Sequence, residues 1–138
     1  MTFPPMESLV PQRDAMMLLD RVVAADEASA TCELAVREGA TFMREGLVPA
    51  AAFLEYMAQA AAAFVGLRAR AGAPREGYLL AAREMELFTD GARAGDVLRV
   101  RATWLDGDAS LARFRAEVTR EGATLATATL TVHLGATP

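Results

Sequence analysis

Two polar side chains inside an otherwise apolar segment are the first candidates for chemistry. Glu55 and Gln59 lie in the middle of residues 48–70, which read VPAAAFLEYMAQAAAAFVGLRAR. They are four positions apart, so in a helix they lie one turn above the other on the same face. A carboxylate among apolar side chains is costly unless it is used or paired. Glu55 is therefore the best candidate for proton transfer, and the alternative is a buried acid held by an arginine or a backbone donor.

Gln59 has two interpretations of equal standing. It orients Glu55 or binds a ligand, or it is a core amide that satisfies a neighbouring carbonyl. Cys32, the single cysteine, excludes an internal disulfide and a multi-cysteine zinc site. It falls on the apolar face of an alternating segment and is predicted to be a core residue. His133, the single histidine, falls on a threonine-bearing face and is predicted to face solvent or an interface.

Length and composition limit the classes of protein. The 138 residues suit a single domain, and the net charge of −4 comes with no basic patch, so no nucleic-acid partner is expected. The first 14 residues lack the pattern of a signal peptide, which favours the cytoplasm. Residues 48–67 are long enough to span a membrane, but Glu55 and Gln59 near the centre argue against a span.

Residues 48–70 are predicted to form one long helix, apolar on nearly every side. Pro49 suits the first helical turn, and Gly72 suits the C-terminal cap, with the helix ending near Ala71. Such a helix must be surrounded by protein or lipid. The methionines are predicted to be mostly core residues, and the alternative for Met43, Met57 and Phe53 is that they line a tunnel.

The rest of the chain alternates in the manner of half-buried strands. Strands are predicted at residues 16–25, 29–37, 77–89, 96–106, 110–120 and 123–134, with a loop at 38–47 and hairpin turns at 106–108 and 121–122. The hairpins favour an antiparallel sheet. One sheet buries one apolar helix only by curling round it, which is the α+β hot-dog fold. A single hot-dog domain over residues 1–138 follows.

The chain also resembles a known family. The segments that carry the resemblance are, in order, LVPQR (9–13), MLLDRV (17–22), VPA (48–50), LEYMAQA (54–60), YLLA (78–81) and AGD (94–96). They resemble hot-dog 3-hydroxyacyl-acyl-carrier-protein dehydratases, most closely the branch of aryl-polyene pigment biosynthesis. Fatty-acid dehydratases of this fold pair the helix acid with a histidine in the loop before the helix. Residues 38–47 contain none, and where the polyene branch has a histidine in its opening segment this chain has Gln12.

The resemblance implies roles for further residues. Glu55 and Gln12 are the predicted catalytic residues, although Gln12 can only hydrogen-bond a hydroxyl or carbonyl and cannot exchange protons. Gln59 and Arg13 are predicted to bind substrate. Arg13 would bind a carboxylate or the carrier's phosphate, or form an ion pair with Asp20. The backbone at Ala50 and Ala51 would hold the thioester oxygen at the helix N-terminus.

The function predicted is that of a dehydratase-like protein, a lyase acting on 3-hydroxyacyl thioesters of acyl carrier protein or CoA in fatty-acid or polyene-type biosynthesis. No cofactor or metal is expected. Hot-dog domains pair edge to edge, so a homodimer or hot-dog heterodimer is expected. Two alternatives stay open because the family histidine is missing. One is a catalytically inactive subunit that binds an acyl carrier or an active partner, and the other is a hot-dog thioesterase.

Overall fold

The computed structural model describes residues 2–68, 77–108 and 110–134, which contain eight strands and one α-helix. In chain order these are β1 (Arg21–Ala25), β2 (Ser29–Ala35), β3 (Leu47–Pro49), α1 (Phe53–Arg68), β4 (Gly77–Leu87), β5 (Gly91–Arg93), β6 (Val97–Gly107), β7 (Leu111–Arg120) and β8 (Ala123–Leu134). Single 3-10 turns occur at Met6–Ser8, Asp14–Met16 and Ala50–Ala52.

Six strands form one antiparallel sheet in the order β1-β2-β6-β7-β8-β4, and β3 pairs with β5 in a separate ribbon. Helix α1 packs on one face of this sheet, chiefly against β6, β2 and β7. The predicted antiparallel sheet around one long helix, the hot-dog fold, is confirmed. Strands β1 and β4 form the two open edges of the sheet, and this places β4 beside the site described below.

Alternation of apolar and polar residues builds the inner face of the sheet. Every second residue is buried along three neighbouring strands. These residues are Leu98, Val100 and Ala102 on β6, Ala112, Phe114, Ala116 and Val118 on β7, and Ala126, Ala128, Leu130, Val132 and Leu134 on β8; Trp104 on β6 is half-buried. The opposite face carries arginines and threonines, where ion pairs such as Arg21 with Glu33 lie at the surface. The period-two pattern thus decided which side of each strand meets α1.

The 3-10 turn and α1 together, Ala50–Arg68, are long and apolar enough to span a membrane. In the structure about half of this stretch is buried within the protein, where α1 is the core helix packed on the sheet. Phe53, Tyr56, Met57, Ala60 and Phe64 are among its buried side chains. No membrane span is evident in the part of the chain that the structure describes.

Two predictions before the helix were wrong. Residues 16–20 do not belong to the first strand, because backbone groups of Met16 and Leu18 are bonded to a side chain of α1 instead of a neighbouring strand. Pro49 is not in the first helical turn. Its φ of −64° and ψ of 146° are extended, and it ends β3, where the sequence predicted the end of a loop and the start of the helix. The predicted helix end near Ala71 lies outside the described residues.

The hairpin between β6 and β7 is also displaced from its predicted place. Strand β6 continues through Gly107, which pairs with Ala112, and the reversal begins at Asp108. The Asp108 carboxylate accepts hydrogen bonds from the Ser110 and Leu111 N–H groups. Because these bonds hold the chain after Asp108, the turn follows the predicted Asp106-Gly107 pair and does not include it. The predicted turn at Glu121 and Gly122 is confirmed, with both residues at positive φ.

Candidate active site

Glu55 lies in the first turn of α1 and lines a cavity of about 110 Å³. The cavity is bounded by α1 on one side and by β4 and β8 on the other. The Glu55 side chain is half-buried, and within residues 2–68, 77–108 and 110–134 it makes no ion pair or hydrogen bond. The alternative of a carboxylate clamped by an arginine therefore finds no support among these residues.

The cavity is a narrow apolar slot along one face of the helix. Apart from Glu55 and Gln12, its lining consists of Pro11, Ala58, Ala61, Ala62, Val65, Leu79, Val132 and Leu134. From Glu55 to Val65 the helix rises about 15 Å, so the lining extends well along α1. Alanine side chains on the helix leave the slot open. The sequence gives no signal for this, because alanine is common in any helix. Glu55 is the one titratable group in the described lining.

Gln12 lines the same cavity, although it is 43 positions before Glu55 in the sequence. It belongs to the opening segment, which we define as residues 2–20, and it lines the slot together with Glu55. Its Oε1 atom is buried and has no hydrogen-bond partner among the described residues. Buried polar atoms are nearly always paired in native proteins, so an unpaired acceptor at a cavity wall indicates a place for a ligand donor.

Gln59, one turn after Glu55, has a different environment. It is fully buried; its Oε1 accepts a hydrogen bond from the Leu18 N–H at 2.9 Å, and its Nε2 donates to the Met16 carbonyl at 2.6 Å. Both ends of the amide are therefore bonded to the opening segment, and Gln59 is not part of the cavity lining. Its predicted role in substrate binding stays a prediction.

Arg13 is exposed and turns back on its own segment. Its Nη1 atom donates to the Val10 carbonyl at 2.6 Å and to the Gln12 carbonyl at 2.8 Å. The suggested ion pair with Asp20 was wrong. Asp20 lies 3.6 Å from the Arg37 guanidinium and accepts a hydrogen bond from the Ala35 N–H. Binding of a substrate anion by Arg13 stays a prediction.

The two helix N-terminal residues predicted to bind the thioester are arranged differently from each other. Ala50 is buried and its N–H donates to the Asp90 carbonyl at 2.8 Å, so that donor is already used. Ala51 is exposed in the same 3-10 turn. Neither residue lines the Glu55 cavity. Of the two, Ala51 is the better remaining candidate for an amide that meets a substrate oxygen.

The remaining reactive side chains lie away from the cavity. Cys32 is fully buried, as predicted, and burial raises the pKa of its thiol to about 12. His133 is exposed on β8, on the face opposite Val132 and Leu134. Phe53 and Met57 are core residues, and neither they nor Met43 line this cavity, so a tunnel lined by them stays a prediction.

The loop before the helix, in which the sequence has no histidine, lies away from the Glu55 cavity. Residues 38–41 line a separate open groove of about 320 Å³, together with part of the opening segment, the end of β2 and Tyr56. Burial raises the pKa of the Tyr56 phenol. Within this chain the loop does not contribute to the Glu55 cavity. No group of three or more His, Cys, Asp or Glu side chains suited to a metal occurs in the described ranges.

Comparison with known families identifies the chain. The model of the ApeP-like family, described as ApeP dehydratase, matches residues 4–136. The chain belongs to this family. The prediction of a dehydratase-like hot-dog protein of the polyene branch is thereby confirmed. No curated protein matches the sequence.

Solved structures agree on the fold. The dehydratase heterocomplex ApeI:P from Xenorhabdus doucetiae matches with a TM-score of 0.91 at 24% identity, over 98% of this chain and 93% of that chain. Zebra fish thioesterase superfamily member 2 matches with a TM-score of 0.68 at 23% identity, over 91% and 88% of the two chains. A hypothetical thioesterase with coenzyme A from Streptococcus pneumoniae TIGR4 matches at 0.64 and 12%, over 83% and 84%.

Proposed function

We propose that this protein dehydrates 3-hydroxyacyl thioesters, with Glu55 transferring the proton and Gln12 holding the leaving hydroxyl. One observation carries the proposal. Glu55, the sole titratable group in the described lining of an apolar slot, shares that slot with the unpaired Oε1 of Gln12. Elimination of water needs a base at C2, an acid at the hydroxyl oxygen and a site for the acyl chain. The slot offers an acid–base group, a hydrogen-bond acceptor for the hydroxyl and apolar walls.

A single carboxylate balances the reaction. The Glu55 carboxylate removes a proton from C2, the C2–C3 double bond forms as the C3–O bond breaks, and the protonated Glu55 delivers the same proton to the departing oxygen. The products are an enoyl thioester and water, and Glu55 returns to the carboxylate. Gln12 Oε1 accepts the hydrogen bond of the 3-hydroxyl and keeps that oxygen near Glu55. Glutamine does not take a proton itself, so proton transfer rests on Glu55.

The rest of the substrate follows from the direction of the slot. The acyl tail lies along Ala58, Ala62 and Val65, where the walls are apolar. The thioester lies toward the N-terminal end of α1, where the amide of Ala51 and the helix dipole favour a developing negative charge. Acyl carrier protein and CoA present the same pantetheine thioester. We expect exposed Arg13 to bind its phosphate.

A second hot-dog chain completes the assembly in this proposal. Strand β4 is an open edge of the sheet, and exposed apolar side chains occur on it and just beyond it, at Leu80 (59% exposed), Leu87 (45%) and Phe88 (58%). Leu79 of the same strand lines the Glu55 cavity. A partner strand added there would cover apolar surface and the wall of the site together. We expect a homodimer, or a heterodimer of the kind that the ApeI:P structure is described to be.

A second candidate function is a binding subunit. The described lining holds no second titratable group, and this favours a chain that binds the acyl thioester while an active hot-dog partner performs part of the chemistry. Thioester hydrolysis is a third candidate, to which structural likeness to thioesterases adds only the shared fold. The protein is expected to act in the cytoplasm, with no cofactor.

One assay separates the three candidates. The purified chain is incubated with 3-hydroxyacyl-CoA and 3-hydroxyacyl-carrier thioesters of several lengths, alone and with a hot-dog partner that copurifies with it. Enoyl product from the chain alone supports the dehydratase. Product that appears only in the mixture, and that is lost when Glu55→Gln is introduced into this chain, also supports it. Product that survives Glu55→Gln in the mixture favours the binding subunit, and free thiol without enoyl product favours the thioesterase.

A further inference from the structure

The opening segment lies directly on the backbone of α1 near Leu9. A Cβ atom placed on Gly66 would be 2.4 Å from the Leu9 carbonyl oxygen and 2.8 Å from its Cα. Both contacts are with backbone, so any side chain at position 66 displaces the segment. Leu9 itself is buried. Glycine at this position therefore fixes where the opening segment meets the helix.

A second contact fixes the other end of the same stretch. Gln59 holds the Met16 carbonyl and the Leu18 N–H through its two amide bonds, and it is fully buried. These atoms are more than 40 positions away in sequence, so the bonds are tertiary and not part of a turn. Gly66 and Gln59 are about two turns apart on α1. The stretch between the two contacts contains Gln12.

The stretch is also tied internally. Arg13 donates to the carbonyls of Val10 and Gln12, and Val10 is fully buried. Gln12 thus lies on a short bridge whose ends are both bonded or packed to the helix that carries Glu55. The position of its Oε1 at the cavity wall depends on these contacts, since the atom has no partner of its own among the described residues.

We propose that Gln59 and Gly66 are positioning residues that hold Gln12 at the Glu55 cavity. The inference rests on the proposed function, because it explains how the two site residues meet. Gln59 acts through the opening segment and does not touch substrate in this arrangement. Gln59, one turn after Glu55, then holds one end of the opening segment near the acid, and Gly66 holds the other end.

A double-mutant cycle tests the proposal. Gln59→Leu and Gly66→Ala are each made in the natural chain and in the Gln12→Ala chain, and kcat/KM for a 3-hydroxyacyl thioester is measured. Val118→Ala is the matched control, since Val118 is fully buried but lies outside the cavity lining. Amide hydrogen exchange of residues 9–18 is followed in every variant, with all proteins kept fully folded.

The expected pattern is non-additive. Gln59→Leu and Gly66→Ala should each lower kcat/KM by about tenfold, comparable to Gln12→Ala. In the Gln12→Ala chain each should lower it by less than about twofold more. Exchange in residues 9–18 should speed up in both variants and not in Val118→Ala. Full additivity with Gln12→Ala, or unchanged exchange in this stretch, would overturn the proposal.

Failure of the proposed function gives a different result. If the natural chain and its partner mixture turn over no hydroxyacyl thioester, the dehydratase proposal fails. The positioning proposal is then judged by hydrogen exchange alone. Faster exchange in Gln59→Leu and Gly66→Ala, with none in Val118→Ala, still supports it, and equal exchange in all three variants contradicts it.

Discussion

Helix α1 has an open side and a sealed side; Glu55, in its first turn, and Gln59 fall on different ones. Glu55 lies on the open side, half-buried at a cavity and without a partner among the described residues. Gln59, one turn later, lies on the sealed side with both amide atoms bonded to the opening segment. A step of four residues in a helix rotates a side chain by about 40°, and here that rotation separates the two environments.

Glu55 is half-buried and Gln59 is fully buried, and the polar atoms of the two side chains are satisfied in different ways. On the sealed side every polar atom of Gln59 has a backbone partner, so burial is stable without a ligand. On the open side Glu55 keeps access to the slot and Gln12 Oε1 stays unpaired. Chemistry is therefore expected from the open side, and stability and positioning from the sealed side.

Glu55→Gln gives the strongest test of the open side. The variant keeps the shape of the side chain and removes proton transfer, so we expect enoyl formation to fall by about 10²–10⁴-fold. The free energy of unfolding should change by less than about 0.5 kcal/mol, because no hydrogen bond of the described structure is lost. The measurement is product formation by absorbance with a urea unfolding curve beside it. Activity within threefold of the natural chain would contradict a role of Glu55 in proton transfer.

Cys32, unlike Glu55, is a titratable group that is fully buried and lines none of the described cavities. Burial raises the pKa of its thiol from 9.0 to about 12. The folded state therefore keeps the proton when the unfolded chain has lost it. The contribution of Cys32 to the free energy of unfolding is complete below about pH 9 and is lost as the pH rises toward 12, by up to about 4 kcal/mol. Unfolding curves at pH 8 to 11 measure this loss, and Cys32→Ala should reduce the slope. An equal slope in both proteins would contradict the assignment.

Gln59→Leu tests the sealed side. It removes two part-buried hydrogen bonds, those to the Met16 carbonyl and from the Leu18 N–H, and each is worth about 0.5–1.5 kcal/mol. We expect a loss of about 1–3 kcal/mol in the free energy of unfolding, measured in urea. Glu55→Gln is the matched comparison from the same helix. Equal stability of the two variants would mean that the two sides are not different.

Ala62→Leu sharpens the description of the slot with the smallest effect. The larger side chain projects into the cavity that Ala62 lines, so longer acyl chains should lose several-fold more kcat/KM than short ones. Stability should change little, because Ala62 is only half-buried. A series of thioesters of increasing length measures the shift. An unchanged preference would place the acyl tail outside this slot.

Much of the fold was predictable, because alternation and apolar content act locally. The long strands, their buried faces and the central helix followed from periods of two and from a continuous apolar run. The short strands β3 and β5 were missed because three residues carry no period. The first strand is shorter than predicted because Met16 and Leu18 bond to the Gln59 side chain and not to a neighbouring strand, which no local pattern reveals.

Composition and residue spacing are enough to predict a lone acid in an apolar helix and a curved antiparallel sheet around it, since burial of apolar surface demands both. The resemblance added Gln12 as a companion of that acid. That Gln12 and Glu55 share a slot, while the opening segment covers Gln59, is visible only in the folded chain. The side chains of a helix are fixed in direction by its geometry, but which neighbours meet them depends on contacts between segments more than 40 residues apart.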